Sequence, residues 1–127
     1  MTRAVFILAA TILAETGGEP GAGRVAVASV IVNRAHQDRR NPAEICRMPR
    51  QFSCWNGGPG AVRRRIAEAR PAEWAHAVAL AVSIEAGRFI PVGPWTHYYN
   101  PTLARPHWGR TLRERRTIGH HVFGVTE

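Results

Sequence analysis

The chain contains no lysine and one aspartate, Asp38. All 17 of its cations are arginine and its other acids are glutamates, giving a formal net charge of +8 over 127 residues. An excess of Ala, Gly, Arg and Pro is what GC-rich coding produces, so the missing lysine is not in itself a sign of a ligand. Two cysteines, Cys46 and Cys54, are too few for a disulfide framework or a Cys-only metal site. A disulfide closing the short loop between them and two free thiols are equally compatible with the sequence. No apolar run approaches the ~20 residues needed to cross a bilayer. Histidines 97, 107, 120 and 121 crowd the last third, but no HExxH or other tight ligand spacing accompanies them, so no metal is expected. No glycine-rich phosphate loop follows a strand, and no other cofactor is implied. Repeats, linkers and low-complexity tracts are also missing.

What is present has globular proportions, 45% hydrophobic and 20% charged, and the length suits one domain spanning 1–127. An isoelectric point near 11.3 favours polyanionic surroundings: nucleic acid, anionic lipid or an acidic cell envelope. Ala4 to Ala14, broken only by Thr11, imitates a secretory core. Its very short leader and direct passage into a helical pattern argue against a cleaved signal.

Ala4–Glu15 reads as a helix that is apolar almost all round, the pattern of a buried element, with Gly17-Gly18 as its stop. A second helix is expected from Pro20 to about Ala35, with Glu19 as a possible cap. Asn41-Pro42-Ala43-Glu44 has the cap, proline and third-position acid of a short helix reaching about Met48. Gln51 to Gly60 reads as a loop, Ala61–Ala69 as a basic helix, and Pro71–Ala86 as the clearest helix, stopped by Gly87. Strand-like pieces follow around Thr96–Pro101 and Ile118–Val125.

Among candidate chemical residues Glu15 stands first. At the C-terminal end of an apolar helix, desolvation and the helix dipole both disfavour the ionised form, as a general acid requires. The plainer reading is a surface glutamate at a frayed helix end. Glu19, beyond the two glycines, serves equally as a cap or as a second carboxylate. Phe52, Trp55, Trp95, Tyr98, Tyr99 and Trp108 fall mostly in loop-like segments beside Asn56, His97 and Asn100. Flat faces next to polar groups suit sugar rings or bases, although any one of them alone is more simply a core plug. Trp74 belongs to the core, and Arg63–Arg65 form a solvated helix face.

Taken in order, these pieces resemble the SleB-type cell-wall hydrolases, the family of spore-cortex-lytic enzymes and some phage endolysins. The resemblance is carried by Leu13-Ala14-Glu15-Thr16-Gly17-Gly18-Glu19-Pro20, similar to a Glu-x-x-Gly-Glu signature, and by the helix Val25–Arg34 ending Asn-Arg. It continues in Gln51-Phe52-Ser53-Cys54-Trp55, Thr96-His97-Tyr98-Tyr99-Asn100-Pro101, Trp108 and Ile118–Phe123. It implies a mostly helical α+β fold, a compact lysozyme-like domain with a small β element near the C-terminus. The implied activity is cleavage of peptidoglycan glycan strands between N-acetylmuramic acid and N-acetylglucosamine. The implied catalytic acid is Glu15, with Gln51, Phe52, Ser53, Trp55, His97, Tyr98, Tyr99, Asn100 and His121 as substrate-binding residues. Ala14 and the Thr16-Gly17 pair depart from the common pattern.

Glycosidases that use two carboxylates hold them ~5–5.5 Å apart for retention or ~6.5–9.5 Å for inversion. Asp38 sits in a polar stretch, and Glu44, Glu68, Glu73, Glu85, Glu114 and Glu127 have surface or tail readings, so only Glu19 remains as a partner for Glu15. Lytic transglycosylation by Glu15 alone is favoured over a hydrolytic muramidase. The rival class is a basic binding module for cell wall or single-stranded nucleic acid, although aromatics and arginines do not interleave as such modules require. The expected setting is a monomer acting on an anionic envelope, made in a host cytoplasm and released by a holin-type pore.

Overall fold

A computed structural model describes residues 1–49 and 51–126; Arg50 and Glu127, the latter read above as a tail carboxylate, lie outside the described residues. The apolar run near the N-terminus forms helix α1, Arg3–Glu15, whose Val5 amide donates to the Thr2 hydroxyl at 3.2 Å. Being apolar all round, α1 has no face to offer water, and the fold encloses it. Leu8, Ala9, Ala10 and Ile12 are fully buried. Two hydroxyls inside this shell are satisfied within the helix turns: Thr11 donates to the Ile7 carbonyl at 2.7 Å and Thr16 to that of Ile12 at 2.6 Å. No helix among the described residues is long and apolar enough to cross a membrane.

Gly18, with φ +78°, turns the chain into α2, Gly21–Asp38. Pro20 occupies the cap position without a side-chain hydrogen bond, so Glu19 does not cap this helix. The helix runs past the expected Ala35, because polar side chains do not stop a helix; it ends where Arg39 turns left-handed. Asn41 caps α3, Pro42–Arg47, accepting the Glu44 amide at 2.8 Å. Helix α4 spans Gly58–Glu68, starting earlier than the sequence suggested because Pro59 fits a first helical turn. Helix α5, Pro71–Glu85, is held at its start by the Glu73 carboxylate, which accepts the Arg70 amide at 3.2 Å. Helices α2, α3, α4 and α5 all pack on α1.

The last third forms an antiparallel sheet of β1 (His97–Tyr99), β2 (Arg113–Ile118) and β3 (His121–Val125), ordered β1-β3-β2. The sequence reading located β1 and β3 but missed β2. That strand is an edge whose residues Arg113–Thr117 are all exposed, so it shows no alternation, and a bulge between Arg113 and Arg116 breaks its register. Helix α2 fastens the segment leading into the sheet: Asn33 Nδ2 donates to the carbonyls of Gly93 at 2.9 Å and Trp95 at 2.8 Å. Trp95, read as a loop aromatic, is buried with its ring 5.5 Å from that of Phe123. Trp74 is half-buried and meets Phe6 edge-on at 6.2 Å. Cys46 and Cys54 are free thiols; burial pushes the Cys46 thiol up to about 12 and raises that of Cys54 as well.

Candidate active site

Glu15 closes α1, half-buried, and two distant segments converge on its carboxylate. The Cys54 amide, in a 3-10 turn over Ser53–Trp55, donates to Oε2 at 3.0 Å. The Tyr98 hydroxyl, on β1, donates to Oε1 in a short hydrogen bond. Burial raises the Tyr98 phenol well above its ordinary range, and the adjacent Glu15 charge and hydrogen bond raise it further, with Arg34 opposing. The phenol therefore remains a donor at neutral pH. Each carboxylate oxygen keeps lone-pair capacity for another partner. Below, the Arg65 guanidinium donates to the Ala14 carbonyl at 2.7 Å, satisfying the helix end. Arg63, Arg64 and Arg65 are all exposed, as expected of a solvated face, and Arg65 adds this one contact to the helix end.

Glu15 lines a cavity of about 410 Å³ together with Gln51, Ser53, Tyr98, Tyr99, Asn100 and His121, all expected at the site. Arg34 and Trp108 complete its polar and aromatic lining. Tyr99 and Trp108 stand edge to face at 5.6 Å. Among the described residues lining this cavity Glu15 is the sole carboxylate.

Three expected residues lie elsewhere. Phe52 is 4% exposed and sits in the core with the Arg34 guanidinium 4.9 Å above its ring. A residue between two cavity-lining neighbours in an extended segment points the other way, which the motif alone could not show. Trp55 faces the helices: its indole N–H donates to Thr11 Oγ1 at 2.9 Å, and Arg47 covers its ring at 4.5 Å. His97 lines an adjoining hollow of about 380 Å³, with Asp38 and Gln37. Burial, and then the Arg34 charge, lower its pKa and favour the neutral ring.

Glu19 does not join Glu15 in the cavity. Its side chain, 3% exposed, is taken up by the hairpin: the His120 amide donates at 2.9 Å, and Nδ1 of His120 and of His121 each lie 2.8 Å from a carboxylate oxygen. Burial alone would raise this carboxyl; the His120 hydrogen bonds and the charges of both imidazoles outweigh burial and leave it lower than usual. Gly119, at φ +59°, permits the approach, since a Cβ there would stand 2.8 Å from Glu19 Oε2. Glu19 thus takes the structural place that the sequence also allowed it, behind His121 rather than in the cavity lining.

Residue reasoning passed over Arg34. Its Nε donates to the Thr96 carbonyl at 2.6 Å and Nη1 to the Gln51 carbonyl at 2.7 Å, joining both cavity-forming segments to α2. The Asn-Arg ending of that helix was the available signal. Asp38, set aside as part of a polar stretch, lines the hollow that shares Arg34, Gln51 and Trp108 with the Glu15 cavity.

Residues 18–124 match the family model described as Cell Wall Hydrolase. The chain belongs to the cell wall hydrolase family. Its family match begins three residues after Glu15, and two solved structures extend the likeness across that position. One is the catalytic domain of the germination-specific lytic transglycosylase SleB from Bacillus anthracis, 25% identical, TM-score 0.73, covering 98% of this chain and 96% of that one. The other is the catalytic domain of the Bacillus cereus SleB protein, 28% identical, TM-score 0.71, covering 95% and 88%. A search of curated proteins gave no match. The observed cell wall hydrolase is thus a cell-wall-degrading enzyme with the fold of SleB catalytic domains, a helical body carrying a small C-terminal sheet.

Proposed function

We propose that this cell wall hydrolase cleaves peptidoglycan glycan strands between N-acetylmuramic acid and N-acetylglucosamine as a lytic transglycosylase, with Glu15 as its acid and base. The observation that carries this reading is the placement of Glu15 as the sole carboxylate, among the described residues, lining an aromatic-walled cavity. A glycan strand lies along Tyr99 and Trp108, whose flat faces suit sugar rings. Glu15, protonated, gives its proton to the glycosidic oxygen as the bond to the muramic anomeric carbon breaks. The carboxylate then takes the proton of the muramic 6-hydroxyl while that oxygen bonds to the anomeric carbon, giving a 1,6-anhydro end and restoring the acid. Cys54 N–H and the Tyr98 hydroxyl fix the carboxylate rotamer throughout, the positioning that makes intramolecular proton transfer efficient. The similar B. anthracis SleB catalytic domain is that of a lytic transglycosylase, which supports the same chemistry.

Mass spectrometry of digested sacculi tests it: anhydromuramic ends are expected, and products with reducing ends alone would overturn the transglycosylase step. A hydrolytic reading needs a second carboxylate to direct water, and Asp38 in the adjoining hollow is the residue that favours it. We further propose that this one catalytic domain acts as an endolysin, made in a host cytoplasm and reaching the wall through a holin. Expression with and without a holin checks this, lysis being expected only with the pore.

A further inference from the structure

Next to the Glu15 cavity, and sharing Tyr99 and Pro106 with it, lies a hollow of about 550 Å³. Arg105, Arg110, Arg115 and His107 line it, and among the described residues no carboxylate does. Among the described residues, none of the three arginines takes part in a salt bridge. Arg115 is the fixed member: Nε donates to the Leu112 carbonyl at 3.0 Å and Nη2 donates to that of Gly109. The shared wall is firm as well, because the Tyr99 ring lies against Gly109, where a Cβ would meet it at 3.4 Å. Unpaired guanidiniums gathered in one concavity repel each other, and an anion entering it relieves that repulsion. A guanidinium's planar fork matches a carboxylate through paired hydrogen bonds.

The anion is chosen by the neighbouring site. A glycan strand in the Glu15 cavity carries short peptides on its muramic residues, and those peptides bear free carboxylates. Tethered to a bound strand, they meet the hollow at high effective concentration without a second encounter. We propose that this arginine hollow is a subsite for the carboxylates of the peptide stem on the strand being cleaved. The subsite rests on the glycan-cleaving reading above, and its test has one arm independent of cleavage.

In the first arm, stem peptide released from sacculi by an amidase is titrated against wild-type protein and against the R105Q/R110Q double variant. The double variant should bind about tenfold more weakly, as the loss of two exposed charge contacts allows, and a peptide with amidated carboxyls should not bind. Both arginines are exposed, and matching thermal melts will establish that the variant is folded. In the second arm, the ratio of kcat/KM for peptide-bearing over peptide-stripped strands should fall about tenfold in the double variant. Equal binding of the peptide by both proteins, binding of the amidated peptide, or preference for a phosphodiester wall polymer would overturn the subsite. Strand cleavage without arginine-dependent peptide binding removes the subsite and leaves the glycan reading intact. Arginine-dependent peptide binding by a protein that cuts neither strand does the reverse.

Discussion

A carboxylate on the last residue of a helix ordinarily has a choice of rotamers and water for company. Glu15 lacks that choice of rotamer, because one oxygen is held by the Cys54 amide and the other by the Tyr98 hydroxyl. Glu15→Gln keeps the size of the side chain and removes its proton chemistry. It should lower turbidity clearing of wall suspensions by about 10²–10⁴-fold, the usual range for a general acid, while circular dichroism stays unchanged. Retained clearing would remove Glu15 from the mechanism. Tyr98→Phe preserves the ring against Phe123 at 5.3 Å but loses the hydroxyl. It should reduce kcat about tenfold, the worth of one charge-assisted hydrogen bond, with KM little changed. At this scale the sequence was informative about Glu15 itself, since an all-apolar helix stopped by two glycines leaves one acid at its end. It was silent about the partners, which lie 39 and 83 residues away, and one of them is a backbone amide that no side-chain pattern reveals.

Between elements, the hairpin of β2 and β3 is held on the α1–α2 corner by Glu19. Glu19→Gln leaves two imidazoles and an amide facing a neutral, less accepting group. A loss of about 1–3 kcal/mol, typical of an unsatisfied buried polar contact, should appear as a lower melting temperature. His121 also meets the Tyr98 ring edge-on at 5.3 Å, so activity should fall with stability in this variant. The Glu19 carboxyl is lower in the fold than its ordinary 4.5. Its contribution is therefore complete at neutral pH and is lost as pH falls through the lowered folded value. Melting curves across that acid range should converge for the wild type and Glu19→Gln. The sequence offered capping, a second carboxylate or a structural role for this residue; the fold shows the side chain holding the hairpin, with a partner as far away as 101 residues in the case of His120. The helices were legible for the opposite reason: caps such as Asn41 and stops such as Gly87 act within a few residues. Strand β2 carried no such local signal, only exposed polar residues on a bulged edge.

For the whole molecule, we propose that the +8 charge acts as a long-range attraction toward an anionic envelope. Raising salt shortens the screening length from about 8 Å at physiological strength to about 3 Å at 1 M, so lysis of intact walls should weaken. Cleavage of short uncharged glycan fragments should be much less affected, and an equal loss on both would assign the salt effect to the catalytic step. Core packing sets the other global property. Leu8→Ala, at a position with no exposure, should cost about 2–5 kcal/mol in denaturant unfolding.

Helix α1, enclosed by four other helices, makes the two walls of the cleft unequal. The proposed acid rides on the element with the deepest packing, whereas residues 100–107 of the opposite rim are almost all exposed and connected by turns. In amide hydrogen exchange the protons of α1 should be the last to leave, released only in the global opening reaction, while those of 100–107 exchange through small local excursions. The cleft is thus a fixed anvil facing a loose jaw. Glycan loading should slow exchange on the jaw and leave the anvil untouched.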